Sequence, residues 1–188
     1  MQIDSLNQPK VVLIGDASVG KTSLLVSLLK GHFIQNIEST IGSAYSPKTI
    51  MTTNGAITLR IWDTAGEEKF KSLVPMYVRN AHAIIYVIDG SCASGFDNHS
   101  DWVSIINDTS SASAKLYVVI NKKDLPLMAP LNKIQDWAQE NDASLYLTSA
   151  KDQESVNTFF LNLAEDLIKS GYSDPTPIVV SSESHSCC

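Results

Sequence analysis

Arginine is scarce in this chain: Arg60 and Arg79 are the only two among 188 residues. Basic residues number 14 against 20 acidic ones, for a formal net charge of −6. General nucleic-acid binding, which depends on basic surface to displace counterions, is therefore not expected. Cysteine is also scarce, with Cys92, Cys187 and Cys188 the only three. One internal cysteine makes no bridge by itself within a domain, and this usage fits a reducing compartment. No apolar run approaches the roughly 18 residues that a membrane span needs. The first ten residues are polar, so no secretory leader is expected. With 9 glycines, 7 prolines and 44% hydrophobic residues, the composition is that of one ordinary globular domain.

Along the chain, apolar runs alternate with helical patterns, the signature of a parallel α/β sheet. Strands are expected at Val11–Ile14, Tyr45–Met51, Ile57–Trp62, Ala83–Ile88, Leu116–Ile120 and Ser144–Leu147. Thr53-Asn54-Gly55 reads as a hairpin turn joining the second and third, which gives one antiparallel pair. Helices are expected at Lys21–Lys30, Phe96–Asn107, Leu131–Glu140 and Val156–Lys169. The expected architecture is a three-layer α/β domain, with about six mostly parallel strands and helices on both faces. Residues 1–8 read as a short extension, 9–170 as the domain, and 171–188 as a flexible tail without Lys or Arg. Docking of Ile178-Val179-Val180 on the domain is the alternative for that tail.

The run Gly15-Asp16-Ala17-Ser18-Val19-Gly20-Lys21-Thr22-Ser23 follows a strand pattern and opens a helix pattern, the context in which G-x-x-x-x-G-K-[ST] reads as a phosphate loop. Glycines let the backbone wrap a polyphosphate, and the helix start offers N–H groups and a positive dipole end. Lys21 supplies a point charge, and the Thr22 hydroxyl can ligate Mg²⁺. Asp63 ends an apolar strand, where its carboxylate can hold the same ion, and Gly66 lets a backbone N–H approach a γ-phosphate. Thr40, between the first helix and second strand, can reach Mg²⁺ only when a γ-phosphate is present, which would make its loop a switch.

Asn121, Lys122 and Asp124 follow a buried strand, at the end of the sheet where open α/β folds bind ligands. An Asp carboxylate accepts the paired donors of guanine, which adenine lacks. Ser149, Ala150 and Lys151, after the last strand, form a second base-side element. Phe33 reads either as a cover for the base or as a helix-end core aromatic.

In order and spacing, these motifs resemble those of Ras-like small GTPases over about residues 9 to 169. The Trp62-Asp63-Thr64-Ala65-Gly66 segment, Met76-Tyr77-Val78-Arg79-Asn80-Ala81 and the terminal Cys187-Cys188 resemble the Rab branch, and Thr40-Ile41-Gly42-Ser43-Ala44-Tyr45 its endosomal members. The resemblance implies a GTP/GDP switch in vesicle traffic that uses Mg²⁺, with Lys21, Thr40, Gly66 and the residue after Gly66 serving hydrolysis. It implies effector contacts at Ile41, Tyr45, Trp62 and Tyr77. It also implies exchange factors, activating proteins, effectors, a GDP-dissociation inhibitor and a prenylation escort as partners. Two lipids on Cys187 and Cys188 would hold a monomeric protein on the cytoplasmic face of an intracellular, endosomal-type membrane. An oxidisable or metal-binding cysteine pair is the alternative.

One residue departs from the pattern. Most Rabs carry Gln after that glycine, to orient the attacking water; here it is Glu67. A carboxylate accepts hydrogen bonds but does not donate them, and it repels an anionic γ-phosphate. Slow intrinsic hydrolysis is expected. A persistently GTP-bound membrane scaffold is the alternative from another class. A P-loop nucleotide kinase is a third, opposed by the missing arginine-rich lid. Ala17 replaces the glycine or serine common at its place, with a minor effect expected.

Overall fold

The computed structural model describes residues 8–172. The extension before residue 8 and the tail beyond 172, with Cys187 and Cys188, lie outside the described residues. The chain runs β1 (Lys10–Ile14), α1 (Lys21–Lys30), β2 (Ser43–Thr52), β3 (Gly55–Thr64), α2 (Glu68–Lys71) and α3 (Val74–Val78). It continues β4 (Ala83–Asp89), α4 (His99–Thr109), β5 (Lys115–Asn121), α5 (Leu131–Glu140), β6 (Ser144–Leu147) and α6 (Gln153–Lys169). The six strands form one sheet in the order β2-β3-β1-β4-β5-β6. β2 pairs antiparallel with β3, and all other neighbours are parallel.

The alternation of side chains along β1 divides the core. Val11 and Leu13 face a cluster completed by Leu24 and Leu28 of α1 and Val156, Phe160 and Leu163 of α6. Val12 and Ile14 face a second cluster with Val78, Trp102, Ile106 and Ile134. Both faces of β4 and β5 are covered, which is why these strands read as unbroken apolar runs.

The expected hairpin closes with Thr52 paired to Gly55, so Thr53 and Asn54 alone form its loop. α4 begins at His99 rather than Phe96. Phe96 is buried in the turn before it and stacks on His99 with ring centroids 4.2 Å apart. α6 begins three residues before the expected Val156, because the Asp152 carboxylate accepts from the Glu154 and Ser155 N–H groups and caps it. The segment after Glu67, for which no helix is expected, forms the short helices α2 and α3. Elements of 4 and 5 residues are too short to display a helical period.

Candidate functional site

The site lies at the carboxyl ends of β1, β3 and β5. Each strand delivers its last residues into a loop, and the loops converge.

The loop after β1 wraps around the Lys21 ammonium, which donates to the carbonyls of Gly15 and Asp16 at 2.8 Å each. Burial lowers the Lys21 pKa to about 8, against the opposing pull of Asp63 and Asp16. Gly20 has φ +99°, and a Cβ there would meet Asn121 Nδ2 at 2.3 Å. Only glycine permits both the left-handed turn and this approach. A Cβ on Gly66 would fall 2.4 Å from the Asp16 carbonyl oxygen and 2.5 Å from Lys21 Nζ. The second chain approach thus closes on the first without side-chain bulk.

Asp63, 1% exposed, is the centre of a polar cluster. Its Oδ2 accepts from the Thr22 hydroxyl at 2.7 Å and the Thr40 hydroxyl at 3.2 Å, and the two hydroxyl oxygens are 2.8 Å apart. Its Oδ1 is buried with no hydrogen-bond partner among the described residues. Burial pushes the carboxyl pKa up, outweighing the Thr22 bond and the charge of Lys21. A buried carboxylate oxygen left unpaired is costly. A cation would relieve that cost, and the donor set of one carboxylate and two hydroxyls suits a hard ion such as Mg²⁺. Lys21, Thr22, Thr40, Gly66 and Glu67 line one cavity of about 220 Å³ together with Ala17. The Glu67 carboxylate pairs with Lys69 Nζ at 2.7 Å, a half-exposed contact at the cavity rim.

A neighbouring cavity of about 290 Å³ is lined by Phe33, Asn121, Lys122, Asp124, Ser149 and Lys151. Asp124 is held by the Ser149 hydroxyl at 2.6 Å and by Lys151 Nζ at 3.0 Å. These partners, the Ser149 bond first, draw its pKa below the usual carboxylate range. Phe33 packs on the first core cluster, as expected for a helix-end aromatic, and also lines this cavity 5.8 Å from Lys151 Nζ. Asn121 ties the loop after β1 to the loop after β6. Its Nδ2 donates to the Val19 carbonyl at 2.9 Å, and its Oδ1 accepts from the Ala150 N–H at 3.2 Å.

Three supports of the site have no local sequence signal. Trp102 Nε1 of α4 donates to Asp16 Oδ1 at 2.8 Å. Asn98 Nδ2 donates to Asp16 Oδ2 at 3.3 Å. Lys122 Nζ pairs with Asp89 Oδ2 at 2.7 Å. The partners are 33 to 86 residues apart, so no local pattern announces them. Outside the cavities, Tyr45, Trp62 and Tyr77 form one aromatic row, with centroids 5.4 and 5.6 Å apart. Ile41 is 83% exposed.

A P-loop between strand and helix, with two adjoining cavities at the carboxyl edge of a mostly parallel sheet, defines a Ras-like P-loop α/β protein. The Ras family model matches residues 10–169, and the chain belongs to that family as a small GTPase of the Rab type. It is 36% identical to Ras-related protein Rab-5A of Dictyostelium discoideum over 89% of this chain and 85% of that one. It is 34% identical to Ras-related protein Rab5A of Oryza sativa subsp. japonica over 93% and 87%. It is 36% identical to Ras-related protein Rab-5B of Plasmodium falciparum over 82% and 75%. Ras and Rab GTPases bind GTP and GDP with Mg²⁺ and work with exchange factors, activating proteins and effectors.

Proposed function

We propose that the two cavities together hold GTP or GDP, with phosphates in the first and guanine in the second. The chain would then serve as a slowly self-hydrolysing switch at an endosomal-type membrane. The observation that carries this reading is the orphaned Oδ1 of Asp63 beside the hydroxyls of Thr22 and Thr40 and the ammonium of Lys21. Mg²⁺, when bound, supplies charge neutralisation for the β- and γ-phosphates. Thr22, Thr40 and Asp63 are the residues that would hold it. Lys21 and the amides from Gly15 to Ser23 hold the phosphate oxygens, Gly66 offers its N–H to the γ-phosphate, and Asp124 reads the guanine edge. Asn121, Lys122, Ser149, Ala150, Lys151 and Phe33 shape the base side.

Hydrolysis is attack of water on the γ-phosphorus in line with the departing GDP. Glu67 stands where that water must be oriented. Its carboxylate donates no hydrogen bond and is turned toward Lys69. Intrinsic turnover is therefore slow, and an activating protein sets the lifetime of the GTP state. Ile41, Tyr45, Trp62 and Tyr77 face effectors, and they change exposure with the loops that carry Thr40 and Gly66. Cys187 and Cys188 carry the lipids, which a GDP-dissociation inhibitor and the prenylation escort would shield. The kinship to Rab5-named proteins supports the endosomal placement.

Single-turnover GTP hydrolysis by wild type beside Glu67→Gln is the test. The expected result is a rate at least about tenfold higher in the variant, equal to ~1.4 kcal/mol of barrier. Equal rates would contradict the inhibitory role of Glu67.

A further inference from the structure

The chain is acidic overall, yet at one place cations gather without a carboxylate partner among the described residues. On the face of β3 that carries Trp62, the side chain two residues earlier is Arg60. The register sets Tyr45 and Val12 on either side of Trp62, and Pro47 and Lys10 on either side of Arg60. A row of aromatics thus lies directly above a row of cations. Lys10 Nζ is 5.7 Å from the Trp62 ring centroid and donates to the Arg79 carbonyl at 2.8 Å, which brings the end of α3 to the same spot. His82 joins them by accepting the Lys10 N–H on Nδ1 at 2.8 Å. Arg60 lies in this cluster with its Nε donating to the Gln8 carbonyl at 2.9 Å, and the backbone of exposed Arg79 reaches it. Among the described residues, none of Lys10, Arg60, Arg79 and His82 has a carboxylate within ion-pair distance. Burial and the neighbouring charges of Arg60 and Lys10 hold His82 below its ordinary pKa, as crowding by like charge requires.

The apolar surface next to this cluster is open. Tyr45 is exposed, and Leu73 and Met76 of the segment leading through α3 are exposed beside half-buried Tyr77. Toward the nucleotide end the same surface carries Glu67 and Glu68. The surface is thus apolar in the middle and basic at one end, while at the other Glu67 is already paired with Lys69.

We infer that Lys10, Arg60 and Arg79 form a basic anchor for a partner protein that lays an apolar helix on the Tyr45–Trp62–Tyr77 row and places acidic residues at one end of that helix. The inference rests on the reading of that row as the effector face and adds the chemistry of the partner. Uncompensated charges at an interface rim select partners and fix orientation more than they add affinity. The anchor therefore sets which way round the helix lies. Arg60 and Arg79 lie away from both cavities, so their replacement leaves nucleotide loading intact.

The test is a displayed library of helical peptides with Leu, Ile or Met at i, i+3, i+4 and i+7 and randomised residues flanking that stripe. The full chain loaded with a non-hydrolysable GTP analogue is the bait, as wild type, as Arg60→Gln/Arg79→Gln, and as Trp62→Ala. The expected result is enrichment of Asp and Glu at one end of the wild-type binders. Their affinity should fall about fivefold on the double variant, as for two surface charge pairs, and the difference should shrink in high salt. Binders without acidic bias, acidic binders retained in full on the double variant, or no binders on wild type would each overturn the proposal. Loss of binding on Trp62→Ala separates the effector-face reading from the anchor. Acidic peptides that bind Trp62→Ala normally but fail on the double variant would refute the joint surface. Vesicles of phosphatidylserine and phosphatidylcholine are a parallel probe. Binding to them that depends on Arg60 and Arg79, without acidic bias in the peptides, would assign the cluster to lipid and refute the protein partner.

Discussion

The indole N–H of Trp102 meets Asp16 Oδ1 at 2.8 Å, so a helix on one face of the sheet holds the second residue of the phosphate loop. Trp102 is buried, and its ring also lies 4.8 Å beneath Lys71 Nζ of α2. Lys71 in turn pairs with Asp101 at 2.8 Å. α4 thus touches both the loop that would hold phosphates and the segment after Gly66 that would sense them.

Trp102→Phe keeps an aromatic ring but replaces the buried indole with a smaller phenyl that has no donor. A hydrogen bond to a charged acceptor that is half-buried is worth about 1–2 kcal/mol. GDP release from the variant should be about tenfold faster, with a modest fall in melting temperature. Release at the wild-type rate would show that the loop holds its shape without the tie.

Asn121→Ala removes the tie between the loop after β1 and the loop after β6. The Val19 carbonyl and the Ala150 N–H would lose their partner inside the protein. The expected cost is about 2–4 kcal/mol, read as a loss of nucleotide affinity larger than the loss of thermal stability. A variant that melts low but binds normally would make Asn121 a purely structural residue.

Lys21 gives a pH dependence of known sign. Its pKa in the folded, nucleotide-free chain is about 8, below the ordinary 10.5. The neutral form is favoured by folding, so this group's contribution to the stability of the empty chain grows as pH rises from about 8 toward 10.5. Nucleotide needs the ammonium. Affinity should therefore fall as pH rises above about 8, by at most tenfold per unit. Binding titrations between pH 7 and 9.5, compared with Lys21→Gln, isolate the effect. An identical slope in the variant would assign it to other groups.

Thr40→Ala should discriminate between the two nucleotide states. The Thr40 hydroxyl shares Asp63 Oδ2 with Thr22. Its removal should weaken Mg²⁺ in the complex with a GTP analogue and leave the GDP complex unchanged. Equal effects on both states would deny the loop around Thr40 a switching role.

Much of this was legible in the sequence because the loops follow strands whose apolar runs are unmistakable. Val11–Ile14 announced β1, and Leu116–Ile120 announced β5, so the residues after each could be placed at one sheet edge. The gathering of Thr22, Thr40 and Asp63 followed from residue chemistry once that edge was known. What stayed hidden depended on distance or brevity. Trp102 reads as an ordinary core residue of an amphipathic helix until its Nε1 is seen on Asp16. Arg60 reads as a solvated strand residue until the register places Lys10 beside it. The Lys69 partner of Glu67 depends on a turn that α2 sets, and four helical residues leave no periodic trace.

The most direct test is nucleotide binding by the nucleotide-free chain, with GDP, a GTP analogue and an ATP analogue, each with Mg²⁺ or with a chelator. The account predicts guanine nucleotides bound about a thousandfold tighter than adenine, roughly 4 kcal/mol, and a triphosphate complex tightened by Mg²⁺. Equal binding of the two bases, or triphosphate binding indifferent to Mg²⁺, would contradict it.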